Sequence, residues 1–130
     1  MTMDPFSGLS TIGQIAIVVT DLQRAVAFYR DRLGLSLLFQ APPNLAFFDA
    51  GGVRLMLSPP EPPASAPSAS VLYFKTVDIE AAHQVLADRG VVFDGPPHLI
   101  ARMPDHELWM AFFRDSEGNL MALMEERRPA

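Results

Sequence analysis

Chemistry in this chain of 130 residues has few candidate carriers: three histidines, one glutamine in an apolar run, a His–Glu pair and some scattered arginines. Gln14 interrupts the apolar stretch from Ile12 to Val19. Its carboxamide oxygen is a weak metal donor and more commonly lines a polar spot. His83 stands among Ala81, Ala82 and Gln84 in a helical pattern, and is expected on the solvent side. His98 follows Pro96-Pro97 and His106 follows Pro104-Asp105, so both read as loop or strand-start residues. His106 and Glu107 are adjacent. On a strand they point to opposite faces and cannot chelate together from one side. Arg54 and Arg102 are suited to binding a carboxylate through paired N–H donors, although a lone arginine is usually a solvated strand edge. There is no cysteine, which excludes disulfides, thiolate nucleophiles, zinc–thiolate sites and iron–sulfur clusters.

These side chains need a scaffold, and the composition supplies one. Hydrophobic residues make up 49% and charged residues 19%, a globular balance rather than a disordered one. The length suits a single domain over residues 1–130. Ten Lys and Arg against fifteen Asp and Glu give a net charge of −5. Such a surface repels phosphate backbones, so no nucleic-acid partner is expected. No apolar run approaches the ~18 residues of a membrane helix. Met1 to Ser10 carries Asp4 and no basic residue, unlike a secretory signal. The expectation is a cytoplasmic protein with no membrane partner.

Periodicity and punctuation define the elements. Ile12 to Val19 reads as a buried strand. Asp21 offers an N-cap, and Leu22, Ala25, Val26, Tyr29 and Leu33 recur at helical spacing up to the stop at Gly34. Strands follow at Leu35–Gln40, Leu45–Asp49 and Val53–Leu57, separated by Pro42-Pro43-Asn44 and Gly51-Gly52. Residues 59–68 read PPEPPASAPS, a linker by composition. The pattern then restarts. Val71–Val77 reads as a strand, Asp78 to Gly90 as a helix, and Val91–Asp94 as a short strand. His98–Met103, Leu108–Phe113 and Leu120–Glu125 complete the set.

This is an internal repeat. Asp21 and Asp78 stand 57 residues apart, Gly34 and Gly90 stand 56 apart, and Ala46-Phe47-Phe48 recurs 65 residues later as Ala111-Phe112-Phe113. The reading is an α+β fold of two βαβββ modules, residues 11–58 and 69–126, joined by the Pro-rich linker 59–68. They would pair into a cupped, incomplete mixed β-barrel with a helix outside each module and a groove between the sheets.

Paired βαβββ modules are the layout of the vicinal oxygen chelate superfamily, which includes glyoxalase I, bleomycin resistance proteins and extradiol dioxygenases. The chain resembles that family in more than layout. Ile12 to Val19, with Asp21-Leu22 and Ala25-Val26-Ala27-Phe28-Tyr29, is similar to its first strand and helix, and Leu33-Gly34-Leu35 follows in place. Phe113 to Leu120 is similar to the turn into its last strand, with Ser116 where proline is common. The two motifs are specific for the fold and weak for function, because one fold hosts many activities.

In metal-dependent members the resemblance implies four ligand positions, on the first and fourth strands of each module, filled by His or Gln and by Glu. The metal there acts as a Lewis acid on paired substrate oxygens. Those positions fall on Gln14, Met56, Val71 and Ala122, of which only Gln14 has a donor. No metal and no cofactor is therefore expected, and no catalytic residue is assigned.

Alternation from Gln14 puts Ile12, Ala16 and Val18 on the groove side, together with Met56, Val71, Tyr73, Leu120, Ala122 and Met124. Ile15, Ile17, Leu55, Leu57 and Leu123 pack against the helices. The candidate ligand-binding set is Gln14, Arg54, Met56, Val71, Tyr73, Trp109, Ala122 and Met124. The leading expectation is metal-independent binding of an apolar or aromatic small molecule. A lyase, isomerase or dioxygenase with a displaced site, built from His98, His106 or Glu107, is the alternative, and a ligand-free dimerisation module is a third. Open sheet edges and an apolar face predict a homodimer.

Overall fold

The computed structural model describes residues 8–60 and 70–129. The first module runs β1 (Gln14–Val18), α1 (Leu22–Ala27), β2 (Ser36–Ala41), β3 (Leu45–Ala50) and β4 (Val53–Ser58). The second runs β5 (Leu72–Lys75), α2 (Ile79–Asp88), β6 (His98–Arg102), β7 (Glu107–Arg114) and β8 (Leu120–Arg127). The sheet orders are β1-β4-β3-β2 and β5-β8-β7-β6. In each the module's first strand pairs in parallel with its last, and the other pairings are antiparallel. The repeat in sequence is a repeat in topology, with two mixed four-stranded sheets, two helices and no closed barrel. Most of the proline-rich segment lies outside the described residues.

The repeated residues do the same work twice. Asp21 caps α1 by accepting from the Arg24 N–H at 3.1 Å, and Asp78 caps α2 by accepting from the Ala81 N–H at 3.1 Å. Gly34 and Gly90 leave the helices with φ of 77° and 90°, values that a side chain would make costly.

Three expectations are corrected. The first helix does not run unbroken to Gly34: after Ala27 it widens into a π-helical turn, Phe28–Arg32, in which the Leu33 N–H reaches the Phe28 carbonyl. Val91–Asp94 is no strand. Only a single bridge, Phe93 to Phe113, and the Asp94 N–H on the Phe112 carbonyl tie it to β7. His83 does not face solvent: it is half-buried, with its ring 4.2 Å from that of Phe93.

One core serves both modules. Ile17, Leu55, Leu57 and Phe48 of the first sheet join Phe113, Met121 and Leu123 of the second, with Tyr29, Val26, Ile79 and Leu86 from the helical segments. Ile15 packs against the same cluster, as the alternation of β1 requires. A polar seam crosses this core. The Tyr29 hydroxyl donates to Asp115 Oδ2 at 2.7 Å across 86 residues of chain. Asp115 Oδ1 accepts from the backbone N–H groups of Glu117 and Asn119. The Glu117 carboxylate accepts from the Thr20 N–H, the Thr20 hydroxyl and the Asp21 N–H, at 2.8, 2.7 and 3.0 Å. It thereby closes the N-terminus of α1 with a charge from the other module. Arg32 and Arg89 each donate to a carbonyl of the opposite module, Gly90 and Arg32 respectively.

Candidate functional site

Register decides which side chains share a face. In the first sheet Gln14 lies beside Arg54, Ala16 beside Met56, and Phe47 across from Met56. The bulge between Leu37 and Phe39 brings Phe39 opposite Phe47. The two rings stack with centroids 4.6 Å apart and planes 25° apart. The Arg54 guanidinium carbon sits 5.2 Å over the Phe47 ring, and its Nε donates to Gln14 Oε1 at 2.8 Å. Gln14 Nε2 in turn points at Met56 Sδ, 3.7 Å away.

In the second sheet Tyr73 lies beside Ala122, which lies across from Phe112, and Lys75 and Met124 follow on the same face. The Tyr73 and Phe112 rings meet edge to face at 6.3 Å, and His98 adds a third ring 6.2 Å from Phe112. Ala122 is fully buried beneath these neighbours, while Tyr73 is 46% exposed.

The two faces are two candidate half-sites. Phe47 and Ala122 are buried, yet neither belongs to the common core. No hydrogen bond or aromatic contact among the described residues links Gln14, Arg54 and Met56 to Tyr73, Ala122 and Met124. The sheets instead meet through their opposite faces. The common core holds Leu55, Leu57 and Phe48 of the first sheet with Phe113, Met121 and Leu123 of the second, and the candidate residues Gln14, Arg54, Met56, Tyr73, Ala122 and Met124 lie outside it.

Two members of the candidate set stand apart. Val71 precedes β5 and has no partner in the sheet register. Trp109 pairs with Glu125, one residue out of phase with Met110 and Phe112, so it shares the core face. There its indole N–H donates to Glu107 at 3.0 Å, and the Arg127 guanidinium lies 4.5 Å over its ring. The parity of β7 carried that signal, since Phe112 and Trp109 differ by an odd number. Phe39, Phe47 and Phe112 were missing from the sequence-derived set. Phe47 was within reach, because the two-residue turn Gly51-Gly52 fixes its register with Met56. Phe39 was not, because the bulge shifts it.

The donors present do not fit a divalent ion at the four positions the fold family implies. Met56, Val71 and Ala122 offer no oxygen or nitrogen side-chain donor, and the one carboxamide oxygen faces a guanidinium, which repels a cation. Among the described residues, His98, His106 and Glu107 join no cluster of three His, Asp or Glu ligand atoms. The His106 ring contacts Asp105 at 2.8 Å, Glu107 holds Trp109, and His98 sits on the second sheet. Asp105 is held down to about pKa 2 by Arg128 and His106. Among the described residues, one acidic trio gathers: Asp78, Glu80 and Glu125. It is already committed. Glu125 accepts from the Ile79 N–H at 2.8 Å, and Arg127 pairs with both Glu125 and Glu80. Arg127 and the Ile79 N–H outweigh burial and keep the Glu125 carboxyl below its ordinary range.

An apolar cavity of about 400 Å³ lies elsewhere, between α2 and the Leu33–Leu35 segment, lined by Phe74, Ala82, Val85 and Leu123 among others. It opens beside the core, away from both half-sites. No helix among the described residues is long and apolar enough to cross a membrane.

Comparison with known proteins agrees with this architecture. The chain is 29% identical over 126 residues to the uncharacterized protein YraH of Bacillus subtilis, covering 85% of this chain and 94% of that protein. A crystal structure of a glyoxalase/bleomycin resistance protein/dioxygenase superfamily member from Sphaerobacter thermophilus superposes with a TM-score of 0.77 at 23% identity, covering 91% of this chain and 98% of that one. TnmS3, an antibiotic binding protein from Streptomyces sp. CB03234, superposes with a TM-score of 0.73 at 26% identity, covering 91% and 97%. Residues 11–123 match the family model itself, and the chain belongs to the Glyoxalase/Bleomycin resistance protein/Dioxygenase superfamily.

Proposed function

We propose that this protein binds an apolar or aromatic small molecule without a metal, as a cytoplasmic homodimer with no nucleic-acid or membrane partner. The observation that carries the reading is the bond from Arg54 Nε to Gln14 Oε1. It occupies the single donor left at the family's ligand positions and sets a positive charge beside it. What remains around it is aromatic and thioether surface. Phe39, Phe47 and Met56 lie on one sheet, and Tyr73, Phe112 and Met124 on the other, groups that adapt to a flat ligand. Burying apolar ligand area on such a surface gains about 25 cal/mol per Å² before the costs of association. The likeness to an antibiotic binding protein supports a binding role.

Dimerisation follows from the division of the site. Each half-site is a shallow platform, whereas small-molecule pockets enclose most of their ligand. A second copy that sets its second sheet against the first sheet of its partner would turn two platforms into one pocket, and twofold symmetry would form it twice.

The test is metal analysis and ligand titration on one sample purified without chelators. The expected result is no stoichiometric metal, with micromolar binding of N-phenyl-1-naphthylamine that EDTA leaves unchanged. One equivalent of zinc, nickel, manganese or iron, lost on Gln14→Ala, would overturn the reading in favour of an enzyme.

A further inference from the structure

Resting on that reading of the site, we infer that the ligand is an anionic arene, a planar aromatic compound with a carboxylate or comparable acidic group, and that Arg54 selects it. The Phe39 and Phe47 rings stack face to face, which covers Phe47 and leaves the outer Phe39 ring as the open aromatic surface. Phe47 is only 8% exposed, while Phe39 is 48% exposed. The Arg54 guanidinium lies over the same Phe47 ring against which Phe39 stacks, so charge and open aromatic surface are carried on one aromatic anchor.

The guanidinium is held but not neutralised. Gln14 takes the Nε proton through a neutral oxygen. Asp49 is its cross-strand neighbour, yet Asp49 Oδ1 accepts from the Gly52 N–H at 3.1 Å. Among the described residues no carboxylate lies within ion-pairing distance of Arg54, although acids outnumber bases by fifteen to ten in the whole chain. The terminal Nη groups keep their donors for a ligand.

Desolvation then selects the ligand's charge. A neutral arene packed on Phe39 beside Arg54 strips water from the guanidinium and returns nothing, which is costly for a charge. An arene with a carboxylate at its edge returns two charge-assisted hydrogen bonds in the geometry that a guanidinium offers. A cationic arene meets both the lost hydration and direct repulsion. The bond to Gln14 fixes the guanidinium in advance, so less freedom is lost when the anion arrives.

The experiment compares naphthalene-2-carboxylate with its neutral isostere naphthalene-2-carboxamide, by calorimetric titration of wild-type protein and of Arg54→Gln. Arg54 is exposed, and thermal unfolding checks that the variant keeps its fold. The expected result is at least about tenfold tighter binding of the carboxylate to wild type, an advantage that shrinks with added salt. In Arg54→Gln the two compounds should bind alike, at about the affinity of the neutral one. Equal binding of both compounds to wild type would overturn the inference and leave the binding reading standing. A carboxylate preference that survives Arg54→Gln would overturn the role of Arg54. Failure of both compounds to bind at millimolar concentration would overturn the inference and the reading together.

Discussion

Replacing Tyr29 with phenylalanine isolates the hydrogen bond that joins the modules. Tyr29 is fully buried, and its ring packs on Phe28 and Phe48 at centroid distances of 5.7 and 5.8 Å. Tyr29→Phe keeps those contacts and removes one oxygen. That oxygen donates to Asp115 Oδ2 at 2.7 Å, and Asp115 is itself only 6% exposed. Burial, aided by the neighbouring Asp115, drives the Tyr29 phenol far above its ordinary pKa, so it remains a donor at any working pH. A buried hydrogen bond to a charged group contributes about 1.5–3 kcal/mol. Asn119 Nδ2 still donates to the same Asp115 oxygen at 2.9 Å, which limits the loss to about 2 kcal/mol. At about 2.1 cal/mol/K per residue, unfolding of a chain this long carries an entropy of roughly 0.27 kcal/mol/K, so the midpoint should fall by about 7 °C. Differential scanning calorimetry at neutral pH reads this directly, and urea titration should show a lower midpoint at an unchanged slope. A shift below about 2 °C would refute the reasoning, because the seam would then be held by apolar packing and not by this bond.

Two further outcomes are expected. Glu117→Gln should lower the midpoint at pH 7 by about 3–6 °C, since one carboxylate serves three donors at the start of α1 and is partly screened by solvent. Burial raises the pKa of this carboxyl, but hydrogen bonds from Thr20 and Asp21 outweigh it and leave it below its ordinary 4.5. Its contribution is therefore complete above about pH 4.5 and fades as the pH falls further, so wild type and variant should converge in acid; a gap unchanged between pH 7 and pH 3 would contradict this. Phe39→Glu and Tyr73→Glu should each abolish arene binding, yet co-refolded as mixed dimers they should recover about one quarter of the sites, because half of the dimers are mixed and each keeps one intact pocket. No recovery in confirmed mixed dimers would place both residues in a site within one chain.

What was legible in the sequence was whatever a local rule enforces. Asp21 and Asp78 announce helix starts because a capping carboxylate must sit three residues before the N–H it accepts from. Met56 and Ala122 fall on the faces opposite the core because alternation has a fixed period. The failures arise where the structure inserts a residue or leaves a pairing out. The π-helical turn at Phe28–Arg32 adds one residue to a helical period. The bulge at Leu37–Phe39 changes which side chain faces Phe47. The relative placement of the two sheets is a third kind of feature. Either face of each sheet carries apolar side chains, so hydrophobic patterning alone does not say which faces meet. The polar residues mark the difference: the faces with Phe48, Phe113, Leu55 and Met121 join the common core with the helices, while the faces with Arg54, Gln14 and Lys75 carry groups that need water or a ligand.

The two motifs that tie this chain to its family meet in space. The stretch from β1 into α1 supplies the Val18 carbonyl, Thr20, Asp21 and Tyr29. The turn before β8 supplies Asp115, Glu117 and Asn119, and every one of these residues bonds across the seam or braces a partner that does. Seam residues are tied to the pairing of the two modules. Residues on the open faces carry no such duty. There Gln14 retains a family type at its position while Met56 and Ala122 do not, and Arg54 takes up the Gln14 oxygen. On the proposed reading, the positive charge beside Gln14 is delivered by a side chain, with N–H donors in place of a metal's open coordination sites. A metal binds and polarises neutral paired oxygens, whereas a guanidinium at full charge holds oxygens that are already anionic. On the proposed reading, a scaffold that activates a ligand in metal-dependent members would here retain one, with the seam of Tyr29, Asp115, Glu117 and Asn119 unchanged in its task of pairing the modules.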